Sequence, residues 1–352
     1  MKKINFLLVA IMAIFISSCS NDGIEDSLST KDAEASKSGL VSEKEYNLDL
    51  PKIVDDRMYF ENFDHMNEFM KVYQEIEPDY LDEKSKEADF ISWNDVLNAE
   101  EGQEIPRKLN NLVDSDLEDP RLVRLLNYNQ EIRVGELICR IEDEYVFMYV
   151  DGNFDQVEAF KAKGIGEKLE YDEPVLINEK LIAAKPLKEI KDDESKRSMI
   201  WIFGYGWRCS NNYNSYNSST RMKSTHWATN VYFYKSAGMK TKMQKKKGWW
   251  IFKSWKSERA KKISVQGQVH FSVSGVPFTQ TQNFNKIRYN SSSATHTIFW
   301  AVGFGVKIKA GNITGISGAS GASVKIKNSS YSNHYTEYGS SSRSRGPKFW
   351  PW

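Results

Sequence analysis

The amino-acid sequence predicts an α+β domain followed by an all-β domain, the latter an antiparallel sandwich or open barrel. Between residues 51 and 188, apolar side chains recur at helical spacing in some segments and alternate with polar ones in others. From residue 198 onward alternation dominates, and no long amphipathic helix is visible. Nine of the ten tryptophans lie in this second part, so composition and periodicity change together.

Charge divides the chain in the same place. The first 197 of the 352 residues hold 45 acidic and 25 basic side chains, whereas residues 198–352 hold 23 basic ones and two acids, Glu258 and Glu337. Opposite charge on two parts of one chain would allow them to dock on each other. An apolar content of 40% and a charged content of 27% exclude disordered and collagen-like chains.

The N-terminus predicts a signal peptide over residues 1–18. Lys2 and Lys3 precede an almost wholly apolar run, Ile4–Ile16. As a helix this run reaches roughly 20 Å, which is short of the ~30 Å hydrocarbon core of a bilayer. We therefore expect an export signal at this position rather than a membrane span.

The segment Ile16–Cys19 resembles the lipobox of bacterial lipoproteins, in which an aliphatic and two small residues precede a cysteine. The resemblance implies a diacylglyceryl thioether on Cys19 and attachment to a membrane through the lipid anchor. Ser20–Asp22 is similar to the tract that directs some lipoproteins to the outer face of the outer membrane, although Asn21 and Gly23 depart from it. The expected location is the outer membrane, exposed at the cell surface. The alternative is a secretory signal with an incidental cysteine.

Residues 19–50 are too polar to bury a face, so beyond the anchor they predict a disordered tether. The acidic domain over residues 51–188 then predicts a series of short elements. They are a strand at 57–60, a helix from Phe63 that Pro78 stops, a helix capped by Ser92, a helix begun by Asp119 and Pro120, a hairpin of Glu131–Ile141 with Glu144–Val150 in which Gly135 is a bulge, and a helix from Phe154 to Lys163 that Gly164 ends.

The stretch from Leu126 to Ile141 resembles a leader module found in many secreted lipoproteins of anaerobic commensal bacteria. The resemblance covers about 100 residues of the chain. It supports the location and the domain boundaries only, because the module implies no biochemical activity.

A charged linker over residues 189–197 leads into the basic, tryptophan-rich domain at 198–352. Apolar residues at alternate positions from Val265 to Val273 predict a half-buried strand. Two copies of Val-Lys-Ile-Lys, at 306–309 and 324–327, predict a hairpin with lysines along one face.

Catalytic patterns are missing from the sequence. Two acids in the basic domain do not supply the carboxylate pair of a glycosidase, and the five histidines lack metal-ligand spacing. No Gly-x-Ser-x-Gly or Walker sequence occurs. We therefore expect a non-enzymatic protein without a cofactor or metal.

Cys139 and Cys209 are the thiols that remain after lipidation of Cys19. In an oxidising compartment they are candidates for a disulfide that staples the two domains. The alternative is that Cys139, which falls among alternating strand positions, is a buried free thiol.

The strongest positive feature is the segment Lys235–Lys262, which holds eleven basic residues and one acid. We take the candidate ligand-binding residues from it: Lys245, Lys246, Lys247, Trp249, Trp250 and Trp255. Flat aromatic faces beside ammonium groups suit an anionic glycan or another envelope polymer. Two alternatives are that the tryptophans are core residues with lysines on the solvated face, and that the basic face docks on the acidic domain.

The sequence thus predicts a surface-anchored, non-enzymatic lipoprotein that binds an anionic polymer. Nucleic acid is disfavoured as a partner because the location is extracytoplasmic and no known binding fold is recognisable. A second hypothesis is a membrane-active protein that inserts the hairpin at 306–327 into a bilayer. A third is an enzyme whose acids come from the N-terminal half.

Overall fold

The computed structural model describes most of the chain beyond the tether. The described residues are 48–99, 117, 119–142, 145–164, 166, 169, 174–185, 200–201, 206–248, 254–273, 278–316 and 324–349. The predicted signal peptide, Cys19, most of the predicted tether and the predicted linker at 189–197 lie outside them. Residues 47–352 group into one unit.

The N-terminal part contains a seven-stranded sheet in which all neighbouring strands are antiparallel except the β2–β3 pair. Its strands are β1 (Lys52–Val54), β2 (Arg57–Phe60), β3 (Glu131–Val134), β4 (Leu137–Ile141), β5 (Val146–Val150), β6 (Val175–Asn178) and β7 (Leu181–Ala184). Their order is β1-β2-β3-β4-β5-β7-β6. This sheet and its helices confirm the predicted α+β class.

Five helices accompany this sheet in the described residues. They are α1 (Phe63–Glu75), α2 (Tyr80–Glu87), α3 (Trp93–Asn98), α4 (Leu122–Leu125) and α5 (Phe154–Ala162). Side-chain caps fix the starts of α3 and α4, as predicted: Ser92 and Asp95 form a capping box at α3, and Asp119 Oδ1 accepts the Leu122 amide at 2.9 Å before α4. Gly164 follows α5 with a φ of +60°, where glycine carries little strain.

The predicted single strand from Glu131 to Ile141 is wrong. Gly135 is not a bulge but part of the tight turn between β3 and β4, with a φ of +59°. Val134 pairs with Leu137 on either side of this turn. Apolar residues lie on both sides of the turn, so the alternation continues across it and conceals the reversal.

The C-terminal part is all-β, as predicted. A first sheet contains β9 (Gly206–Asn217), β10 (Thr220–Asn230), β11 (Tyr234–Lys247), β12 (Ser254–Ser257) and β15 (Ser293–Val302). A second sheet contains β8 (Ile200–Trp201), β13 (Ala260–Val273), β14 (Gln280–Ser291), β18 (Val324–Ile326), β19 (Tyr331–Tyr338) and β20 (Ser341–Phe349).

These two sheets pack face to face as a sandwich. Met239 and Met243 of β11 share one apolar cluster with Ile263 and Val265 of β13. Because strand side chains alternate, Lys240 to Lys246 at even positions of β11, and Lys262 to Gln266 at even positions of β13, point away from this core. The sandwich therefore presents two outer faces, one on each sheet.

The predicted pairing of the two Val-Lys-Ile-Lys copies is wrong. The first copy is β16 (Val306–Lys309), which pairs with β17 (Asn312–Ile316). The second copy forms β18 and pairs with β8 and β13 in the second sheet. Each strand pairs where its apolar side chains can be buried. Ile326 lies in the sandwich core, whereas Ile308 packs against the core shared with the N-terminal sheet.

The acidic and basic parts share an apolar core. One cluster joins residues of α1 and the N-terminal sheet, such as Met66 and Met148, to Tyr232, Phe233 and Ile313 of the C-terminal part. The two parts are thus packed together through buried hydrophobic surface as well as through charge.

Asp119 is the polar centre of this junction and is 1% exposed. Its carboxylate accepts hydrogen bonds from Tyr234 at 3.3 Å and from Ser236, while it also caps α4. Trp227 donates its indole N–H to the same Ser236 hydroxyl at 3.0 Å. The sequence predicts only that Asp119 begins a helix. In the structure Asp119 also binds Tyr234 and Ser236 of β11 in the first sheet.

Cys139 and Cys209 are not joined by the disulfide for which the sequence makes them candidates. Cys139 lies in β4, fully buried in the apolar core, where burial raises the pKa of its thiol far above the ordinary value. Cys209 lies in β9 of the first sheet opposite Trp227. The two thiols belong to different sheets, and the buried-thiol alternative describes Cys139.

Within the described residues, no helix is long and apolar enough to cross a membrane.

Candidate functional site

The structure separates the three consecutive lysines that the sequence grouped into one patch. Lys246 lies opposite Trp255 of β12, and its Nζ is 5.0 Å from the centre of the Trp255 ring. Lys245 and Lys247 point to the other face, because neighbours in a strand alternate. Of the three lysines, Lys246 is the one that lies beside Trp255, the described member of the predicted aromatic platform.

On the other face, Lys245 and Lys247 contact the acid and the tyrosine packed there. Lys247 Nζ is 3.1 Å from Glu258 Oε2, and Tyr338 donates its hydroxyl to Glu258 Oε1 at 3.4 Å. Lys245 Nζ donates to the Tyr338 hydroxyl at 3.4 Å. These two lysines stabilise the edge of the sandwich and are not part of the Trp255 surface.

Arg221 of β10 lies against Trp255, although the sequence analysis did not identify it as a candidate residue. Its guanidinium carbon lies 3.9 Å from the Trp255 ring centre and 3.9 Å from the Tyr213 ring centre. Its Nε donates to Gln244 Oε1 at 3.0 Å. We call Tyr213, Arg221, Trp255 and Lys246 the Arg221 stack.

The Arg221 stack has the electrostatics of an anion site. No carboxylate pairs with Arg221 or Lys246 among the described residues, and the Arg221 Nη atoms make no hydrogen bond there. Partial burial lowers the pKa of Arg221 from its ordinary value, because the flanking side chains remove water from the cation. A planar cation held between two rings, with its terminal nitrogens unpaired, is suited to bind an oxyanion in two-point fashion.

Further lysines continue along the same outer face of the first sheet. Lys223 and Lys242 are direct cross-strand partners, an arrangement that is destabilising for like charges unless other groups offset it. Lys242 donates to Asn98 Oδ1 at 3.3 Å, and Lys256 donates to the Asn98 carbonyl at 2.8 Å. The C-terminal end of α3 thus packs against Lys242 of this face and against Lys256 of β12.

Trp249 and Trp250 lie outside the described residues, in the connection between β11 and β12. Tyr213 and Arg221 were missed because the sequence separates them from Trp255 by 42 and 34 positions. Alternation within β9 and β10 indicates which of their residues share a face, but only the register between strands brings that face to Trp255.

A buried chain of polar side chains occupies the centre of the sandwich. His226 Nε2 and Ser332 Oγ are 2.7 Å apart, Ser332 Oγ and His334 Nε2 are 2.8 Å apart, and His334 Nδ1 is 2.8 Å from Thr241 Oγ1. Burial lowers the pKa of His334 to about 3 and that of His226 well below its ordinary value, and the nearby Lys348 ammonium adds to both effects. Ser332 is 0% exposed, so this serine and its histidines hold the sheets together and do not form an open catalytic site.

Among the described residues, no group of three or more His, Cys, Asp or Glu side chains is arranged to hold a metal ion. The buried carboxylate Glu131 is instead satisfied by three side chains. Its oxygens lie 2.8 Å from Arg57 Nη2, 2.9 Å from Arg140 Nη1 and 2.9 Å from the Tyr149 hydroxyl. Because its oxygens are already hydrogen-bonded to these side chains, the Glu131 carboxylate is suited to a structural role.

Comparisons with known proteins give no relative: no family model, no curated protein and no solved structure matches this chain.

Proposed function

We propose that the protein is a non-enzymatic lipoprotein, anchored through Cys19 to the outer membrane and exposed at the surface, that binds an anionic glycan or envelope polymer. The observation that carries the binding proposal is Arg221 held between Tyr213 and Trp255 without a carboxylate partner among the described residues. The predicted signal peptide, lipobox and tether support the location.

The chemistry of the Arg221 stack favours a polymer that carries sulfate or carboxylate groups on sugar rings. The Arg221 and Lys246 cations attract the anionic groups, and the guanidinium fork matches their geometry. Tyr213, whose side chain is on the surface with 45% exposure, offers an aromatic face to the C–H face of a sugar.

The membrane-active hypothesis has less support, because the hairpin on which it rested is not formed. The two Val-Lys-Ile-Lys copies lie in separate sheets, and each buries apolar residues inside the protein.

Binding of a heparin-derived hexasaccharide tests the proposal, with uncharged maltohexaose as the comparison. Isothermal titration calorimetry at several salt concentrations should show tight, salt-dependent binding of the charged probe only. The Arg221→Gln variant should lose about 1.5–3 kcal/mol of binding free energy, the contribution expected of hydrogen bonds to a charged group.

The matched control is Lys247→Gln, which removes one positive charge from the same strand but on the opposite face. It should bind the hexasaccharide as the unchanged protein does, whereas Lys246→Gln should bind more weakly. Equal losses from Lys246→Gln and Lys247→Gln would show attraction by overall charge and contradict a site at the Arg221 stack.

A further inference from the structure

The outer face of the second sheet carries a groove of about 410 Å³, on the side of the sandwich opposite the Arg221 stack. It is lined by residues of β13, β14 and β19, together with Ser344, Arg345 and Gly346 of β20. The side chains that matter here are Lys262, Gln266, Ile287, Asn333 and Tyr335. The volume lies in the range typical of sites for small ligands, roughly 300–1,000 Å³.

Strand register builds this groove from residues that are far apart in sequence. Gln266 lies directly opposite Asn333, and the next outward pair along the same strands joins Ser264 to Tyr335. Ile287 of β14 lies on the other side of Ser264. The result is two amides, a tyrosine and an aliphatic side chain on one small area of sheet.

Three polar side chains of the groove are unpaired within the described part of the chain, whereas Arg345 donates to Asn212 Oδ1 at 3.3 Å. The side chains of Gln266, Asn333 and Lys262 form no hydrogen bond or ion pair with a described residue, and Lys262 Nζ lies 5.7 Å from the centre of the Tyr335 ring. Among the described residues, no carboxylate lines the groove. Its one ammonium group on β13 is therefore available to an anion from solution.

Gly346 keeps the Asn333 amide in its place. A Cβ atom at position 346 would collide with Asn333 Oδ1 and with its amide carbon. A glycine here lets β20 approach β19 closely beside the groove, so the Asn333 side chain retains the position that faces Gln266.

We propose that this groove is a second binding site, specific for a uronic acid unit of a glycan. Amide groups both donate and accept hydrogen bonds, as the hydroxyls of a sugar require. Tyr335 and Ile287 offer apolar surface to the C–H face of the ring, and Lys262 pairs with the carboxylate. The proposal rests on residues separate from the Arg221 stack and would stand if the proposed function of that stack failed.

The test uses the full chain with the Arg221→Gln substitution, so that binding at the Arg221 stack does not contribute. Calorimetric titration with trigalacturonate should give one site per chain, and neutral maltotriose should bind at least tenfold more weakly. Lys262→Gln in this background should reduce the affinity for trigalacturonate about tenfold and bring it close to that for maltotriose. Gln266→Ala should weaken both probes several-fold.

Gln268→Ala is the matched control, because Gln268 lies on the same outer face of β13 but donates to Asn283 Oδ1 at 2.8 Å and does not line the groove. Its affinity for trigalacturonate should equal that of the Arg221→Gln parent. Absence of trigalacturonate binding at millimolar concentration would overturn the proposal. So would equal effects of Gln266→Ala and Gln268→Ala in proteins with unchanged thermal unfolding.

Discussion

Arg221 acquires its role from the side chains on either side of it. An exposed arginine on a strand is ordinarily solvated and mobile, but here two rings and the Gln244 amide restrict the guanidinium. Restriction before binding reduces the entropy lost when an anion is bound. The same reasoning separates Lys246, which faces Trp255, from Lys247, which pairs with Glu258.

The residue scale also shows how far the sequence could predict the site. Lys246 and Trp255 were predicted from basic and aromatic residues in one segment, and the structure places them together. Lys245 and Lys247 were grouped with them because a run of three lysines looks uniform until the strand assigns alternate faces. Arg221 and Tyr213 could not be predicted as site residues. Each is a single residue in a polar strand, and only the register between strands β9 to β12 brings both beside Trp255.

Lipidation is a prediction for a single residue, Cys19. We expect Cys19→Ala to abolish incorporation of labelled palmitate in cells and to leave an uncleaved or unanchored protein. Cys139→Ala is the control and should keep the label, because the Cys139 thiol is buried in the core. Palmitate labelling followed by immunoprecipitation measures both. Unchanged labelling of Cys19→Ala would contradict the lipobox assignment.

At the scale of elements, local signals were sufficient where a side chain caps a helix. The starts of α3 and α4 follow from Ser92 and Asp119, whose oxygens accept amide hydrogens of the first turn. The pairing of strands was less predictable. The turn at Gly135 and the separation of the two Val-Lys-Ile-Lys copies depend on which apolar surface each strand buries, and this is a property of the folded chain.

The histidine chain between β10 and β19 predicts a pH-dependent stability. His226 and His334 have lowered pKa values in the folded state, so the unfolded chain takes up protons first as the pH falls below about 6.5. The contribution of the two histidines to the free energy of unfolding is therefore fully present above about pH 6.5 and is lost as the pH falls, for His334 down to about pH 3. The loss reaches up to about 1.4 kcal/mol per pH unit for each histidine.

Urea unfolding between pH 7 and pH 4 measures this slope. In His334→Gln the amide can still bond to Thr241 and Ser332, but one titrating group is absent, so stability should fall less steeply with acid. A slope identical to that of the unchanged protein would show that His334 does not take part in this linkage.

At the scale of the whole molecule, composition indicated two parts but not their common core. The shift in charge and tryptophan content at residue 198 was visible in the sequence, and the α+β and all-β classes follow from periodicity. The packing of Tyr232, Phe233 and Ile313 against N-terminal residues was not visible. An apolar run indicates burial and does not indicate the partner.

The shared core predicts one cooperative unfolding transition for the two parts. Nine of the ten tryptophans report on the C-terminal part, and helical circular dichroism reports on the N-terminal part. The two signals should change at the same temperature. Asp119→Ala, which removes a helix cap and the acceptor for Tyr234 and Ser236, should lower stability by about 2–4 kcal/mol in both signals.

Ser236→Ala is the milder control for this junction, since it leaves Asp119 to cap α4 and should cost less. Two separate transitions in the unchanged protein would contradict a common core. A loss in Asp119→Ala confined to the circular dichroism signal would restrict the role of Asp119 to its helix.

The joint core also sets the order in which the chain can become stable during synthesis. The N-terminal sheet and its helices leave the ribosome before residues 231–234 and 302–316, which complete their apolar interior. For more than a hundred residues of elongation, the N-terminal part therefore has uncovered hydrophobic surface. Contacts between such distant segments form slowly, because the intervening chain must be closed into a loop. The N-terminal part of the nascent chain therefore stays accessible to chaperones until residues 302–316 have been made.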